Sequence, residues 1–298
     1  MNLLTYKNFL DLTKGKYTFL TISKGFYEAV ESLSSSGEKI CFLRHDIDLS
    51  IENALRMAKI EAEQGIKSTY TVLLTGEFYN PFEDKNRKDL KEIISLGHEV
   101  GLHFDPVIHN ITDENSLDNS IEAEKRALED LLEKKVSMFS FHNTTDFSMS
   151  CRKKIYSKCL NAYSEFFHEK VEYISDSHGY WRFRDWNTLL EENHQIIQVL
   201  THPIWWQPNN SLLPLETVVK YMMKRYKYQM NKYNQYFAGQ EDRENISYLS
   251  EYLKENNIIN DKDILNKYIT DKEIMNLFLK EDFDESKFQK ALDNFLKK

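Results

Sequence analysis

Cysteine, proline and long apolar runs are all scarce in this chain. Its three cysteines among 298 residues, Cys41, Cys151 and Cys159, are an odd number without metal-site spacing. No disulfide framework is expected; Cys41 is read as packing in a strand core, and the chain as a reduced, cytoplasmic protein. No stretch approaches the roughly 18–20 apolar residues that a membrane span needs. The start, Met1-Asn-Leu-Leu-Thr-Tyr-Lys-Asn8, lacks the basic-then-apolar design of a secretory signal. Positive charge is also short. With 39 Lys and Arg against 47 Asp and Glu, the formal charge is −8 and the pI near 5.7. That balance argues against nucleic acid or an anionic membrane as the main partner. Five prolines beside many Lys, Asn, Ile and Glu suggest an AT-rich bacterial genome and say nothing of chemistry.

What is present is the texture of a soluble globular protein, 41% hydrophobic and 29% charged, long enough for one large domain or one domain plus an appendage. The chain is organised around Arg44-His45-Asp46-Ile47-Asp48, which ends the short apolar run from Lys39 to Leu43. That run has strand length and composition, and a helical pattern follows at once. A strand side chain points to the same face every second residue, so Asp46 and Asp48 project together. Two carboxylates that close disfavour being ionised together. A bound cation would compensate; capping of the next helix is the simpler use of the same residues.

Strand and helix patterns then alternate. Tyr17 to Ile22 reads as a strand, Phe26 to Leu33 as a helix, Ile51 to Ala62 as a helix capped by Ser50 and stopped by Gly65. Further strands are expected at Ser68–Leu74, His98–His103, Val136–His142, Val171–Ser175 and Ile196–His202. Helices are expected through Leu90–Ile94, 117–134, near 151–165, and from about Trp186. This alternation over about 200 residues predicts an α/β fold with a parallel sheet covered by helices, as a barrel or a doubly wound sheet. Chemistry gathers at the carboxyl ends of strands in either case. Asp46, Asp48, His103, His142 and His202 all fall there. Beyond about Asn210 the strand signal stops. Residues 1–210 are taken as the α/β domain and 211–298 as a helical extension, its Tyr- and Met-rich face from 218 to 237 packing on the domain or pairing a homodimer.

Neutral imidazole and carboxylate are common ligands of zinc and similar divalent metals. A strand histidine is ordinarily a hydrogen-bonded core residue, but His103 beside Asp48 suits a ligand. His98, which begins that strand, is read as structural. His142 ends a strand and is the better third ligand; His109, on a loop six residues past His103, remains the alternative. His202 ends the last strand and suits a general acid, since imidazole titrates near working pH; a core histidine beneath Trp205 and Trp206 is the plainer possibility. Asp176, Ser177, Trp181 and Trp205 form polar-aromatic loops that suit sugar binding, though an ordinary turn would look the same.

Taken in order, these motifs resemble the polysaccharide deacetylase superfamily, metal-dependent carbohydrate esterases with a distorted (β/α) barrel. The likeness runs from about Cys41 to Trp206. His45-Asp46-Ile47-Asp48 is similar to the first motif, which implies Asp46 as base and Asp48 as ligand. Gly97-His-Glu-Val-Gly-Leu-His103 is similar to the second and implies His103 as ligand. Thr201-His202-Pro203 is similar to the last and implies His202 as general acid. The chain departs from the pattern twice. Phe104-Asp105-Pro106 stands where a second metal histidine is usual, and Phe141-His142-Asn143 stands where an arginine-proline motif is usual. A divergent branch found among bacterial surface-glycan proteins looks closer, and favours His142 over His109. The resemblance implies one divalent ion, zinc first, and N-deacylation of an amino sugar; the lack of a secretory signal favours a nucleotide- or lipid-linked precursor as its substrate. The rivals are a scaffolding role in glycan assembly and hydrolysis of a non-sugar amide.

Overall fold

The computed structural model describes residues 1–23, 25–182, 184–208 and 213–237. Its centre is β2 (Ile40–Ile47), whose eight residues are all buried, as befits a strand with neighbours on both sides. On one side β9 (Ile196–Thr201) pairs along Ile40–His45. The other side is shared. β1 (Thr18–Leu20) takes Ile40–Phe42, and β3 (Thr69–Leu73) takes Arg44–Ile47. The sheet continues from β3 through β4 (Glu99–Phe104), β5 (Met138–Phe141), β7 (Cys159–Asn161) and β6 (Ile155–Tyr156), while β8 (Glu172–Ser175) flanks β9. Every pairing is parallel except the β6–β7 hairpin. The result is an α/β half-barrel, in keeping with the distorted (β/α) barrel expected: a curled sheet in which no pairing among the described residues joins β6 to β8.

Helices follow the strands as the sequence pattern predicts. Ser50 caps α3 (Ile51–Glu63), its Oγ accepting from Asn53 N at 3.2 Å. Asp113 caps α5 (Glu114–Leu132) in the same way. One expectation needed correction, and one element was absent from the sequence reading. The N-terminal α1 (Leu3–Lys14), capped by Asn2, was not foreseen. The helix expected near 151–165 is instead the hairpin β6–β7. Its turn residues Ser157 and Lys158 have φ of 45° and 63°, the left-handed pair that a two-residue hairpin turn demands. Tyr156, Cys159 and Leu160 are buried; their i, i+3, i+4 spacing also fits one face of a helix, so burial pattern alone did not separate the two.

The faces of β2 do different work. Cys41 and Leu43 pack with Tyr6, Met57 and Ile66 from α1, α3 and the turn behind it. Ile40 and Phe42 face Phe26 of α2 (Phe26–Ser35) and Phe167 of α7 (Glu165–Glu169). By the two-residue period Arg44, Asp46 and Asp48 continue the Phe42 side, so the site rises directly from an apolar floor. Gly101 on β4 belongs to that floor. A Cβ there would meet Met138 Sδ at 2.0 Å, which is why glycine occupies the position.

His45 lies on the opposite face, where Glu61 is the hub of a fully buried polar network. Its carboxylate receives Tyr6 Oη, Ser68 Oγ at 2.5 Å and Tyr70 Oη at 2.9 Å, and lies 2.9 Å from His45 Nε2. His45 Nδ1 meets Thr201 Oγ1 at 2.6 Å, and His98 accepts Ser68 N at 3.2 Å. Burial pushes the Glu61 carboxyl up, but His45, His98 and Ser68 outweigh it and hold its pKa below the usual value. His98 is thus structural, as expected.

The chain divides into two compact units, Met1–Val218 and Val219–Lys298. α9 (Pro214–Phe237) is a continuous helix. The Tyr- and Met-rich face expected to pack lies on this helix, where Met222, Tyr226 and Tyr236 are exposed; residues 238–298 of the expected extension lie outside the described residues. No helix among the described residues is long and apolar enough to cross a membrane.

Candidate metal centre

Three of the residues singled out from sequence meet at one point. Asp48 follows β2, His103 is on β4 and His142 follows β5, and one ligand atom of each lies within 4.8 Å of the others. The edges of the triangle are 3.2 Å from His103 Nε2 to Asp48 Oδ1, 3.6 Å from His142 Nδ1 to Asp48 Oδ1, and 3.2 Å between the two imidazole nitrogens. Ligands at 2.0–2.2 Å round a tetrahedral ion are separated by about 3.3–3.6 Å, so the residues fit a divalent ion with little adjustment. Asp48 Oδ1 is also buried and accepts no well-formed hydrogen bond, the state of an oxygen shaped for a cation. Three protein ligands from three strands leave a fourth position open, the pattern of catalytic rather than structural zinc. Nitrogen and oxygen donors of this kind suit zinc and its neighbours.

The ligands are held from behind. His103 Nδ1 meets Ser140 Oγ at 2.8 Å, which directs Nε2 toward Asp48. Burial pushes Asp48 up, but the imidazoles of His103, His202 and His142 hold its pKa below the ordinary value. Burial and the His103 imidazole together lower that of His142, favouring the neutral form that a metal takes.

Asp46 and His202 stand on either side. Asp46 Oδ2 is 3.8 Å from His103 Nε2, and His202 Nε2 is 3.7 Å from Asp48 Oδ2. Asp46 accepts Arg44 Nη2 at 3.2 Å and Thr71 Oγ1 at 2.7 Å, and its Oδ1 lies 3.1 Å from Arg44 Nε in the same ion pair. Burial opposes its charge, yet Arg44 foremost, with His103 and His202, holds its pKa far below the carboxylate range. Arg44 is itself buried, its guanidinium 5.5 Å from the Tyr163 ring. It was quoted in the sequence motif without a role, although the period that pairs Asp46 with Asp48 places Arg44 on the same face.

His202 is bound through Nδ1 to Asp176 Oδ1 at 2.6 Å, and its backbone N–H also donates to Asp176. Trp206 Nε1 donates to Asp176 Oδ2 at 2.8 Å. Burial works against the charged imidazolium, but Asp176, with Asp48 and Asp46, overrides it and carries the His202 pKa up to about 9. Here the expectation for Asp176 needs correction. Its carboxylate is wholly buried and its oxygens are taken by His202 and Trp206, so it orients His202 and has no face for a substrate.

The remaining sequence candidates are separate. Ser177 Oγ bonds Ser175 Oγ at 2.9 Å. Trp181, half-buried, packs on Trp186 and Trp206. Trp205 is half-buried beside the same cluster. His109 is outside the metal triangle; its Nε2 pairs with Glu124 and its ring stacks on Phe104 at 5.0 Å.

No family model matches the chain, and no curated protein does so by sequence. Solved structures do match. One is a mutant of a family 4 carbohydrate esterase pseudoenzyme from Bacillus anthracis with restored activity, at 15% identity and TM-score 0.37, over 64% of this chain and 63% of that one. A family 4 acetyl xylan esterase from Clostridium thermocellum with cobalt matches at 14% and 0.39, over 63% and 85%. A Streptococcus pyogenes deacetylase with acetate matches at 16% and 0.37, over 73% and 85%. The chain thus spans less than two thirds of the first. What the site can do follows from its own residues.

Proposed function

We propose that this protein is a metal-dependent amide hydrolase that removes an acyl group, acetyl first, from an amino sugar. What supports the reading is one arrangement: a three-ligand metal triangle between a carboxylate held ionised and an imidazole held protonated. A divalent ion bound there would polarise the acyl carbonyl and acidify a water. Asp46 would accept a proton from the attacking water as the water's oxygen bonds to the acyl carbon. His202 gives its proton to the nitrogen as the carbon–nitrogen bond breaks, because an amine leaves only once protonated. Arg44 and Asp176 keep the two groups in opposite charge states. Atoms balance as amide plus water giving carboxylate and ammonium, and the catalytic groups are restored when the proton on Asp46 is passed, through solvent, to His202.

The sugar is proposed to be a nucleotide- or lipid-linked precursor of a bacterial surface glycan, in keeping with the branch that the motifs resemble. The test is amine release by the zinc-loaded protein from N-acetyl amino sugars offered free, nucleotide-linked and polyprenyl-phosphate-linked. At least one arm should react. Asp46→Asn should cut that rate at least about 100-fold with metal content unchanged, whereas Asp48→Asn should lose the metal. No amine from any arm, or metal loss in Asp46→Asn, overturns the assignment.

A further inference from the structure

The metal triangle draws its two imidazoles from different strands, so its size depends on how the exits of β4 and β5 are spaced. Backbone pairing between these strands runs only over Leu102–Phe104 and Phe139–Phe141. His142 lies just past it, its N–H donating to Phe104 O at 2.7 Å. Asn143 then turns the chain in a left-handed conformation, φ 27°.

Beyond that point one side chain spans both exits. Asp105 Oδ1 accepts Val107 N at 2.8 Å and Ile108 N at 3.4 Å, fixing the loop that leaves β4. Its Oδ2 accepts Asn143 Nδ2 at 2.8 Å, fixing the loop that leaves β5 directly after His142. Asp105 is 2% exposed, and the hydrogen bonds it accepts come from uncharged donors.

We propose that Asp105 is a positioning residue for the metal site, a clamp that through Asn143 sets the separation of His103 and His142. The proposal rests on the metal-site reading and adds to it the device that makes a two-strand histidine pair work as one ligand set. An outer partner of this kind commonly accounts for 10–100-fold in metal affinity.

Charge and clamp predict opposite signs, which makes the test decisive. Asn143→Asp puts a second carboxylate against Asp105. If only electrostatics mattered, the added negative charge would tighten cation binding; if the clamp matters, repulsion opens the two exits and weakens it. The double variant Asp105→Asn/Asn143→Asp keeps the net charge and reverses the bond, with an amide at 105 donating to a carboxylate at 143 and its Oδ1 still accepting Val107 N. Zinc affinity is measured by chelator competition, alongside the absorption spectrum of the cobalt-loaded protein and the metal-free melting temperature. Asn143→Asp should weaken zinc about 10–100-fold and alter the cobalt spectrum. The double variant should restore both, with metal-free melting close to wild type. Unchanged or tighter zinc in Asn143→Asp, or no recovery in the double variant, overturns the clamp while the metal site stands. A wild-type protein that binds neither zinc nor cobalt overturns both.

Discussion

At the scale of single residues, the site works by separating charge states that bulk water would equalise. Asp46 is kept ionised by Arg44, and His202 is kept protonated by Asp176. For His202 the sign is definite. Its folded pKa is raised above the usual value near 6.5, so the stability it contributes is complete below that pH and is lost as pH rises through about 9. The rate should therefore fall on an alkaline limb set by His202. An ion on Asp48 cancels the part of the shift that Asp48 supplies, so the limb of the zinc-loaded protein should lie between about 6.5 and 9. Asp176→Asn keeps the shape and removes the charge, and should move the limb down by about one unit or more. A pH–rate profile checks this, and a limb that does not move would remove His202 as proton donor. Asp46, Asp48, His103, His142 and His202 were legible because strand period and strand ends suffice to find them. Asp176 was found and misassigned, since nothing in the sequence says that its carboxylate is buried against Trp206.

Among the elements, strands with alternating or continuous apolar runs were recovered, because their side chains must satisfy two faces of one sheet. The β6–β7 hairpin was lost because Ser157 and Lys158 occupy left-handed positions that Asn-Gly usually announces. α1 was lost because its role lies in long-range partners, Tyr6 on Glu61 and on Trp206. The Asp105–Asn143 clamp joins residues 38 apart in sequence and has no local signal. β4 carries its own prediction. Gly101→Ala forces Met138 off its present path beneath the ligands and should cost about 1–3 kcal/mol. Denaturant unfolding measures it, and an equal stability would show that Met138 has room to turn aside.

For the molecule as a whole, Glu61 joins α1, β2 and β3 from one buried carboxylate. Its lowered pKa means that this support is in place above the ordinary carboxylate value, about 4.3, and is withdrawn as pH falls through the folded value. Glu61→Leu strands Tyr6, Ser68, Tyr70 and His45 together and should cost at least about 3 kcal/mol, read as a fall in the denaturant midpoint. A midpoint within error of wild type would mean that those donors find other acceptors. The parallel sheet and the gathering of candidate residues at its strand ends were legible from alternation; that the sheet curls as a half-barrel was not, since alternation left a barrel and a doubly wound sheet both open. What 211–298 does was not, for a helical pattern does not say which neighbour its apolar face meets.

The chain has four tryptophans, and all of them sit in one cluster: Trp181, Trp186 and Trp206 in mutual ring contact, with Trp205 packed beside them. Trp206 and His202 share the carboxylate of Asp176. The protein's intrinsic fluorescence is therefore a single local signal rather than an average over the fold. Imidazolium quenches indole emission far better than imidazole does, so emission should brighten as His202 loses its proton. A fluorescence titration would then read the proton on His202 directly, without substrate and without turnover, and zinc added to the same cuvette should shift its midpoint downward.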